Sequence, residues 1–178
     1  MAASLVLASS SHQKSFVEAL REGFRRGVQA EKMPDEIYEI DRDFETFVAA
    51  ITDRAGTITL PNGETVQKVP FDVFWLVEGK SFIGEASVRY KLSKWLIEAG
   101  GHIGYGIRPS FQRRGYGKLI LKLALEKCRD YGTGPVLVTC NESNIGSAKV
   151  IEANGGVLED LRKDPLRDGM LKRYWIET

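Results

Sequence analysis

The sequence predicts a mixed α/β fold (α+β) in which helices flank a central sheet. Its 178 residues suit one domain with a sizeable core, which we place at 1–178. The clearest element is a helix from Gly117 to Tyr131, because its apolar residues recur at helical spacing and Gly132 ends the pattern. A short, largely apolar run follows at 136–139, as expected of a buried central strand. Further helical and strand patterns on both sides of this pair indicate a fold built from both types of element.

The N-terminal part is predicted to begin with a strand from Ser4 to Ala8. Ser10, with Gln13 three residues later, then suggests a capping box for a first helix. This helix is marked by aromatic and aliphatic residues at helical spacing, namely Phe16, Leu20 and Phe24.

A loop and a second helix are predicted next. Residues from Glu31 to Arg42 are polar and contain Pro34, so we expect a loop there. The second helix is closed by Gly56 and is marked by the apolar residues Phe44, Phe47, Val48 and Ile51.

The middle of the chain is predicted to be mostly strands. The segment from Ile58 to Val69 contains the turn sequence Pro61-Asn62-Gly63 between two β-prone runs, which predicts a hairpin. Two strands should follow at 71–77 and 81–89, and 92–97 is either one helical turn or a loop. The central strand is then expected from His102 to Ile107.

The C-terminal part is predicted to hold one short helix and two strands. The helix should run from Ser147 to Ala153, where it is followed by two glycines. The last strands are expected at 157–160 and 171–176, joined across 164–169.

Composition and charge indicate a cytoplasmic protein. The formal net charge of +1 gives no sign of a nucleic-acid or membrane partner. No apolar run reaches the roughly 20 residues of a membrane span, and the N-terminus lacks the pattern of a secretory signal. Two cysteines, Cys128 and Cys140, are too few for a disulfide scaffold and lack metal-ligand spacing, so no metal is expected.

A glycine-rich segment between the central strand and the clearest helix is the strongest functional signal. It reads Gln112-x-x-Gly115-x-Gly117, with Arg113 and Arg114 inside it. A strand-to-helix turn aims several N–H groups and the positive end of the helix dipole at one point. Glycine also lets a ligand approach the main chain closely. We therefore expect a phosphate or pyrophosphate site here.

Two common nucleotide motifs do not fit the spacing of this segment. A Walker A loop needs a glycine five residues before Gly117 and a hydroxyl residue after Lys118, where the sequence has Gln112 and Leu119. The dinucleotide-binding fingerprint needs a third glycine at the position of Ile120.

The segment does resemble motif A of the GNAT superfamily of N-acetyltransferases, which includes ribosomal-protein-type and many predicted acetyltransferases. The usual form is V-x-P, two residues, then Q/R-x-x-G-x-G/A, and the match is in register from Ile107 to Gly117, with Ile for the usual Val. A second block is Asn144-x-x-Ser147, with a valine and a glycine at the spacing that the family uses after its fifth strand. The resemblance covers nearly the whole chain.

This resemblance implies a GNAT fold with a central twisted mixed sheet of about six to seven strands, splayed between the fourth and fifth. It also implies an acetyl-CoA-dependent N-acetyltransferase that transfers the acetyl group directly to a primary amine in a ternary complex. The acceptor would be a small molecule or a peptide, and a homodimer is compatible with the family.

In the family, the pantetheine arm of coenzyme A lies in the splay and the glycine-rich loop donates N–H groups to the pyrophosphate. Carried over by position, Tyr105 to Ile107 would pair with pantetheine. The remaining cofactor-binding residues would be Arg108, Gln112, Arg113, Arg114, Gly115, Tyr116, Gly117, Lys118, Asn144 and Ser147. Asn144 also suits an ordinary helix N-cap, and Ser147 suits a packing role.

The implied reaction is the aminolysis of a thioester, for which a base is the first requirement. A lysine-like amine has a pKa of about 10.4, so only about one molecule in 10³ is neutral at pH 7. His102 is the first candidate base, because an imidazole titrates near neutrality, and Glu85 is the reserve. The alternatives are a half-buried strand histidine bonded to a neighbouring carbonyl for His102, and a solvated strand face for Glu85.

One position departs from the family pattern. Many members place a tyrosine seven residues after the asparagine as general acid to the sulfur, and this chain has Ile151 there. Tyr105 is the replacement considered first, with Tyr116 also nearby, but a thiolate with a pKa of about 8.5 could leave without help. The departure keeps a second function open, namely a non-catalytic acyl-CoA-binding or regulatory module.

Overall fold

A computed structural model describes residues 2–27, 30–59, 63, 65–165 and 168–178. In these ranges the chain forms nine strands and six α-helices. The strands are β1 (Ser4–Leu7), β2 (Thr57–Thr59), β3 (Thr65–Gln67), β4 (Phe71–Glu78), β5 (Ser81–Arg89), β6 (Ile103–Ile107), β7 (Val136–Asn141), β8 (Val157–Lys163) and β9 (Met170–Ile176). The helices are α1 (Gln13–Arg21), α2 (Pro34–Arg42), α3 (Phe44–Thr52), α4 (Lys94–Glu98), α5 (Tyr116–Tyr131) and α6 (Ile145–Glu152).

Seven of the described strands form two neighbouring sheets. One sheet has the order β1-β4-β5-β6 and the other has the order β7-β9-β8, while β2 and β3 form a separate hairpin. All of these pairings are antiparallel. The predicted mixed α/β class is confirmed, and the break between β6 and β7 lies where the splay was expected.

Helices cover both faces of the larger sheet. On one face, α5 packs its apolar stripe against β4, β5 and β6, and the buried residues of that stripe are Ile120, Leu121, Ala124, Leu125 and Cys128. The other face is covered by α1, α2 and α3 around an aromatic cluster, in which the rings of Phe16 and Trp75 stack with their centroids 4.8 Å apart. The two faces therefore carry separate hydrophobic cores.

Two N-terminal predictions are wrong. The segment expected to be a loop contains α2, because Pro34 occupies the first helical position, where its missing N–H has no helical partner to lose. The Glu36 carboxylate completes the cap by accepting a hydrogen bond of 2.9 Å from the main-chain N–H of Met33. Ser10 forms no capping box, since it lies in a 3₁₀ turn that precedes α1 and no side chain caps either element.

Other boundaries differ by a few residues from those expected. The helix α3 ends at Thr52, well before Gly56, and 94–98 adopts the helical alternative as α4. The hairpin of β2 and β3 is confirmed, whereas Pro61 and Asn62 of its turn lie outside the described residues. The Gly132 helix stop is also confirmed, with φ of 77°.

A partly buried ion pair fixes α1 against the end of β6. The Arg108 guanidinium donates to the Glu22 carboxylate at 3.0 and 2.5 Å and to the Ser15 hydroxyl at 2.9 Å. The hydrogen bond from Arg108, opposed in part by burial, lowers the pKa of Glu22 from 4.5 to about 2. Because the folded state holds Glu22 ionised, this contact stabilises the fold above the unfolded pKa and is lost as pH falls toward 2.

We expect Glu22→Gln to lower the free energy of unfolding by roughly 1–3 kcal/mol near neutral pH. The difference from the unsubstituted chain should shrink between pH 4.5 and pH 2, since protonation removes the same charge. Urea unfolding of both proteins at several pH values measures this difference in the free energy of unfolding. Glu18→Gln is the control, because the Glu18 carboxylate is 3.6 Å from Arg108 and more exposed. A difference that did not change with pH would contradict the prediction.

Candidate active site

The turn before α5 presents a row of main-chain donors. Gly115 is the helix N-cap with φ of 87°, and Arg113 also has a left-handed backbone with φ of 60°. The N–H groups of Lys118 and Leu119 return to the Gly115 carbonyl at 3.1 and 3.2 Å. Among the described residues, none accepts a hydrogen bond from the N–H groups of 113–117. Five consecutive free donors at a helix N-terminus suit a phosphate group.

The side chains around this turn divide into two groups. The Arg114 guanidinium lies over the rings of Phe111 and Tyr116, at 5.3 and 5.9 Å from their centroids, so it stays beside the turn. The side chain of Gln112 donates to the carbonyl of Ile107 at 3.0 Å, which ties the turn to β6. The Arg108 side chain, in contrast, points to α1, as described above, and is not brought to the turn.

The break between the sheets opens beside this turn. His102 and Leu137 join the two sheets at one end, where the His102 N–H donates to the Leu137 carbonyl at 2.8 Å. The main-chain groups of even-numbered residues in and next to β6 form hydrogen bonds with β5. An example is the bond of 2.8 Å from the Arg108 N–H, just after β6, to the Ile83 carbonyl. By alternation, the N–H and C=O groups of Tyr105 and Ile107 point away from β5, toward the break.

Several polar side chains border the break from the side of α6. Asn144 caps this helix, since its Oδ1 accepts a hydrogen bond of 3.0 Å from the Ser147 N–H. The Ser147 hydroxyl is 2.9 Å from the Tyr105 hydroxyl. Burial raises the pKa of Tyr105 to about 12, with Ser147 opposing the shift. Ile151 is fully buried in the core beneath them.

A cavity of about 610 Å³ lies on the face of the larger sheet that is opposite α5, and it reaches the break. Three consecutive same-face residues of β5 line it, namely Glu85, Ser87 and Arg89. Gly104 of β6 stands opposite Ser87 and leaves the floor open, since a Cβ there would lie 3.1 Å from the serine hydroxyl. Apolar walls come from α3, β3, β4 and α4, including Ile51, Val66, Phe71, Val73, Trp95 and Leu96.

The carboxylate of Glu85 is held firmly at one side of this cavity. It accepts hydrogen bonds from the Arg26 guanidinium at 2.9 Å and from the Trp75 indole at 3.0 Å. Both ion-pair partners are largely buried, with 15% and 8% of the Arg26 and Glu85 side chains exposed. Glu85 therefore does not lie on a solvated strand face, because its ion pair with Arg26 faces the cavity.

His102 is placed differently from Glu85. The residue is 6% exposed and lies at the junction of the sheets, outside the cavity lining. Its Nδ1 accepts a hydrogen bond of 2.8 Å from the Leu137 N–H, so the proton of the neutral ring is on Nε2. Burial lowers the pKa of His102 to about 4, which keeps the ring neutral at pH 7.

Several polar residues of the cavity were not predicted as site residues. Arg26, Ser87 and Arg89 line it together with Asp164, which is buried and follows β8. The alternation Glu85-x-Ser87-x-Arg89 was the available signal, but a solvated strand face has the same pattern. Among the described residues, no group of three or more His, Cys, Asp or Glu side chains is arranged to hold a metal ion.

In the described part of the chain, no helix has the length and hydropathy required to cross a bilayer.

Comparison with solved structures shows the fold. The aminoglycoside acetyltransferase AAC(6')-Ib in complex with coenzyme A has a TM-score of 0.63 at 13% identity, covering 99% of this chain and 95% of that one. RimL, a ribosomal L7/L12 α-N-protein acetyltransferase solved with coenzyme A, has a TM-score of 0.64 at 15% identity, covering 99% of this chain and 94% of that one. The putative acetyltransferase yncA of Salmonella typhimurium, solved with its cofactor acetyl-CoA, has a TM-score of 0.56 at 11% identity, covering 99% of this chain and 94% of that one.

Comparison with protein families shows more than the fold. The search of curated proteins gave no match. The sequence model of the acetyltransferase (GNAT) domain, however, matches residues 28–157, which include β6, the glycine-rich turn, α5 and α6. This match spans most of the chain and contains both sequence blocks from which the resemblance was drawn. The chain therefore belongs to the GNAT acetyltransferase family and is an N-acetyltransferase.

Proposed function

We propose that this enzyme transfers the acetyl group of acetyl-CoA directly to a primary amine while both substrates are bound. The observation that carries the proposal is the break between β6 and β7, which lies between the N–H donors before α5 and the cavity on β5. A donor bound along the break and an acceptor in the cavity would meet at this point, so the chain itself needs no covalent intermediate.

The cofactor is acetyl-CoA, which supplies the acetyl group as a thioester. The N–H groups from Arg113 to Gly117 suit its pyrophosphate, because a helix N-terminus favours negative charge. The outward main-chain groups of Tyr105 and Ile107 suit the amides of the pantetheine arm. An N–H near Ile107 would then also face the acetyl oxygen as charge develops on it. Asn144 keeps its side-chain NH₂ available while its oxygen caps α6.

Glu85 is our choice for the base that takes the proton of the acceptor amine. It is a carboxylate in the cavity lining, and Arg26 and Trp75 fix its orientation without using all of its acceptor sites. His102 suits a structural role better, since the Leu137 N–H occupies Nδ1 and the proton occupies Nε2. The amine nitrogen would attack the thioester carbon, Glu85 would take its proton, and the sulfur would leave as a thiolate.

The Tyr105 and Ser147 hydroxyls are the candidates for protonating the leaving sulfur, since Ile151 occupies the position at which many family members have a tyrosine. They lie 2.9 Å apart, beside the break. A phenol whose pKa is raised to about 12 is a weak acid, so its contribution is a hydrogen bond to the sulfur more than a full proton transfer. The thiolate, with a pKa of about 8.5, needs little help.

We expect Tyr105→Phe to lower kcat only about tenfold, because one hydrogen bond to the leaving group is worth about 1–1.5 kcal/mol. Steady-state kinetics with acetyl-CoA measures this change. Tyr116→Phe is the matched control, since Tyr116 starts α5 and its ring packs on Phe111. A loss of more than about 1000-fold in Tyr105→Phe would mean that its hydroxyl is an essential acid, contrary to this view.

Thiol release from acetyl-CoA, measured against a panel of amines, tests the proposed function. The panel holds tripeptides, amino acids, an aminoglycoside and a polyamine, and mass spectrometry identifies the acetylated product. Calorimetry with coenzyme A runs in parallel. Turnover with an N-acetylated product supports the enzyme, whereas binding without turnover of any amine would support the non-catalytic acyl-CoA-binding module instead.

The single domain at 1–178, the cytoplasmic location and the homodimer stay predictions of the sequence. Light scattering of the purified chain measures its oligomeric state, and limited proteolysis reports whether it divides into separately stable parts.

A further inference from the structure

Arg89 is a cation of the acceptor cavity that the proposed reaction does not use. It ends β5 on the same face as Glu85 and lines the same cavity, four residues farther along the strand. At about 3.3 Å per residue, this places the two Cα atoms roughly 13 Å apart. Ser87 and Gly104 lie between them, and Phe71 of β4 stands opposite Arg89.

The Arg89 guanidinium has no anionic partner among the described residues. Its one hydrogen bond is a long one, at 3.4 Å, to the carbonyl of Gly101. Burial lowers its pKa, and no neighbouring carboxylate offsets that shift. A guanidinium removed from water without a paired charge is costly in a folded protein. Such a group on a cavity wall is suited to an anion that the cavity admits.

The other charged groups of the cavity are already engaged. Arg26 pairs with Glu85, and the Lys68 ammonium pairs with the Asp53 carboxylate at 2.9 Å. Asp164 also lines the cavity and has an interaction of its own. Among the described cations that line this cavity, Arg89 is therefore the one that forms no ion pair with another described residue.

We propose that the acceptor is a short peptide whose free amino group lies at Glu85 and whose carboxylate, two to three residues farther along, pairs with Arg89. This inference rests on the proposed function for the position of the amine. A guanidinium binds a carboxylate through two parallel N–H···O hydrogen bonds, which gives both affinity and orientation. The apolar walls, including Val73, Trp95 and Leu96, would contact the segment between the two ends.

The separation between Glu85 and Arg89 determines the length of this acceptor. In a free α-amino acid, one carbon joins the amine to the carboxylate, so the two groups lie only about 3 Å apart. An extended chain spans about 3.3–3.6 Å per residue, so a tripeptide reaches roughly 10 Å. The long arginine side chain can cover the remaining distance. A polycation such as an aminoglycoside would instead place like charge against Arg89, which is unfavourable.

Binding of two matched tripeptides tests the proposal without requiring turnover. The probes are Ser-Ala-Ala with a free C-terminal carboxylate and the same peptide as its C-terminal amide, titrated calorimetrically into the full chain with coenzyme A present. We expect the acid to bind at least about tenfold more tightly than the amide. In Arg89→Gln this ratio should fall to about one, and in Arg89→Lys it should be intermediate, because the charge is kept and the paired hydrogen bonds are lost.

Lys68→Gln is the matched control, since it removes one positive charge from the same cavity and should leave the ratio of the two affinities unchanged. Equal affinity of acid and amide for the unsubstituted chain would overturn the proposal, as would a preference that survives in Arg89→Gln. If Arg89→Gln fails to fold, the unsubstituted chain and Arg89→Lys still decide. A preference for the acid without transfer from acetyl-CoA would refute the proposed function alone, and transfer without that preference would refute this inference alone.

Discussion

Replacement of Gly115 by aspartate should weaken coenzyme A binding about 100-fold or more while the fold is retained. Gly115 is the N-cap of α5, and open space surrounds the position of a Cβ there. An aspartate carboxylate at this position would lie beside the N–H groups assigned to the pyrophosphate and compete for them. It would also repel the negative cofactor. Losing two charge-assisted hydrogen bonds, at about 1.5 kcal/mol each, accounts for this magnitude.

Gly132→Asp is the matched control for this variant. Gly132 caps the other end of the same helix, also has a left-handed backbone with φ of 77°, and has open space within 4 Å of the point where a Cβ would lie. Both variants therefore carry the same kind of backbone strain, and the control carries its charge far from the donors. Calorimetric titration with coenzyme A and a thermal melt separate binding from stability. Equal affinities in the two variants would contradict the assignment of the pyrophosphate site.

The second large effect is expected for Glu85→Gln, which should lower kcat/KM by about 10²–10⁴-fold near pH 7. The glutamine keeps the size of the side chain but cannot take the proton of the amine. The loss should become smaller toward about pH 10, because the acceptor amine then deprotonates by itself. The measurement is a pH profile of thiol release for both proteins with a single peptide acceptor.

A double variant, Glu85→Gln with Arg26→Gln, controls for the charge that the single substitution leaves unpaired. The single variant buries an unneutralised guanidinium, so it should be destabilised, whereas the double variant should regain much of that stability. Activity should stay low in both. If the double variant also regained activity, or if the loss were the same at every pH, Glu85 would act in folding or binding and not as the base.

The elements that could be predicted from the sequence are those with local signals. The α5 helix has a strong apolar period and a glycine at its end, and the turn before it has glycines at a distinctive spacing. The helix α6 has Asn144 as its N-cap, a role that the sequence suggested, although the helix starts at Ile145 and not at Ser147 as expected. The helix that starts at Pro34 was missed because proline both breaks helices and starts them, and the sequence alone did not separate the two cases.

The roles of the charged side chains depended on contacts that no local pattern contains. Arg108 lies within the glycine-loop motif, yet its side chain pairs with Glu22 of the segment that follows α1. His102 lies on the predicted central strand, yet its ring accepts a hydrogen bond from β7. Arg89 ends a predicted strand with no local signal for a site, and only the arrangement of β4, β5 and α4 places it in a cavity. These contacts join residues far apart in sequence.

The break between β6 and β7 also bears on the cohesion of the molecule. Outside the junction of His102 and Leu137, each sheet ends in an edge whose main-chain groups lack a neighbouring strand among the described residues. Unpaired edges of this kind are templates for association with other chains. An amide-bearing arm lying along the break would act as a substitute strand, so the enzyme saturated with its cofactor should resist self-association better than the bare chain.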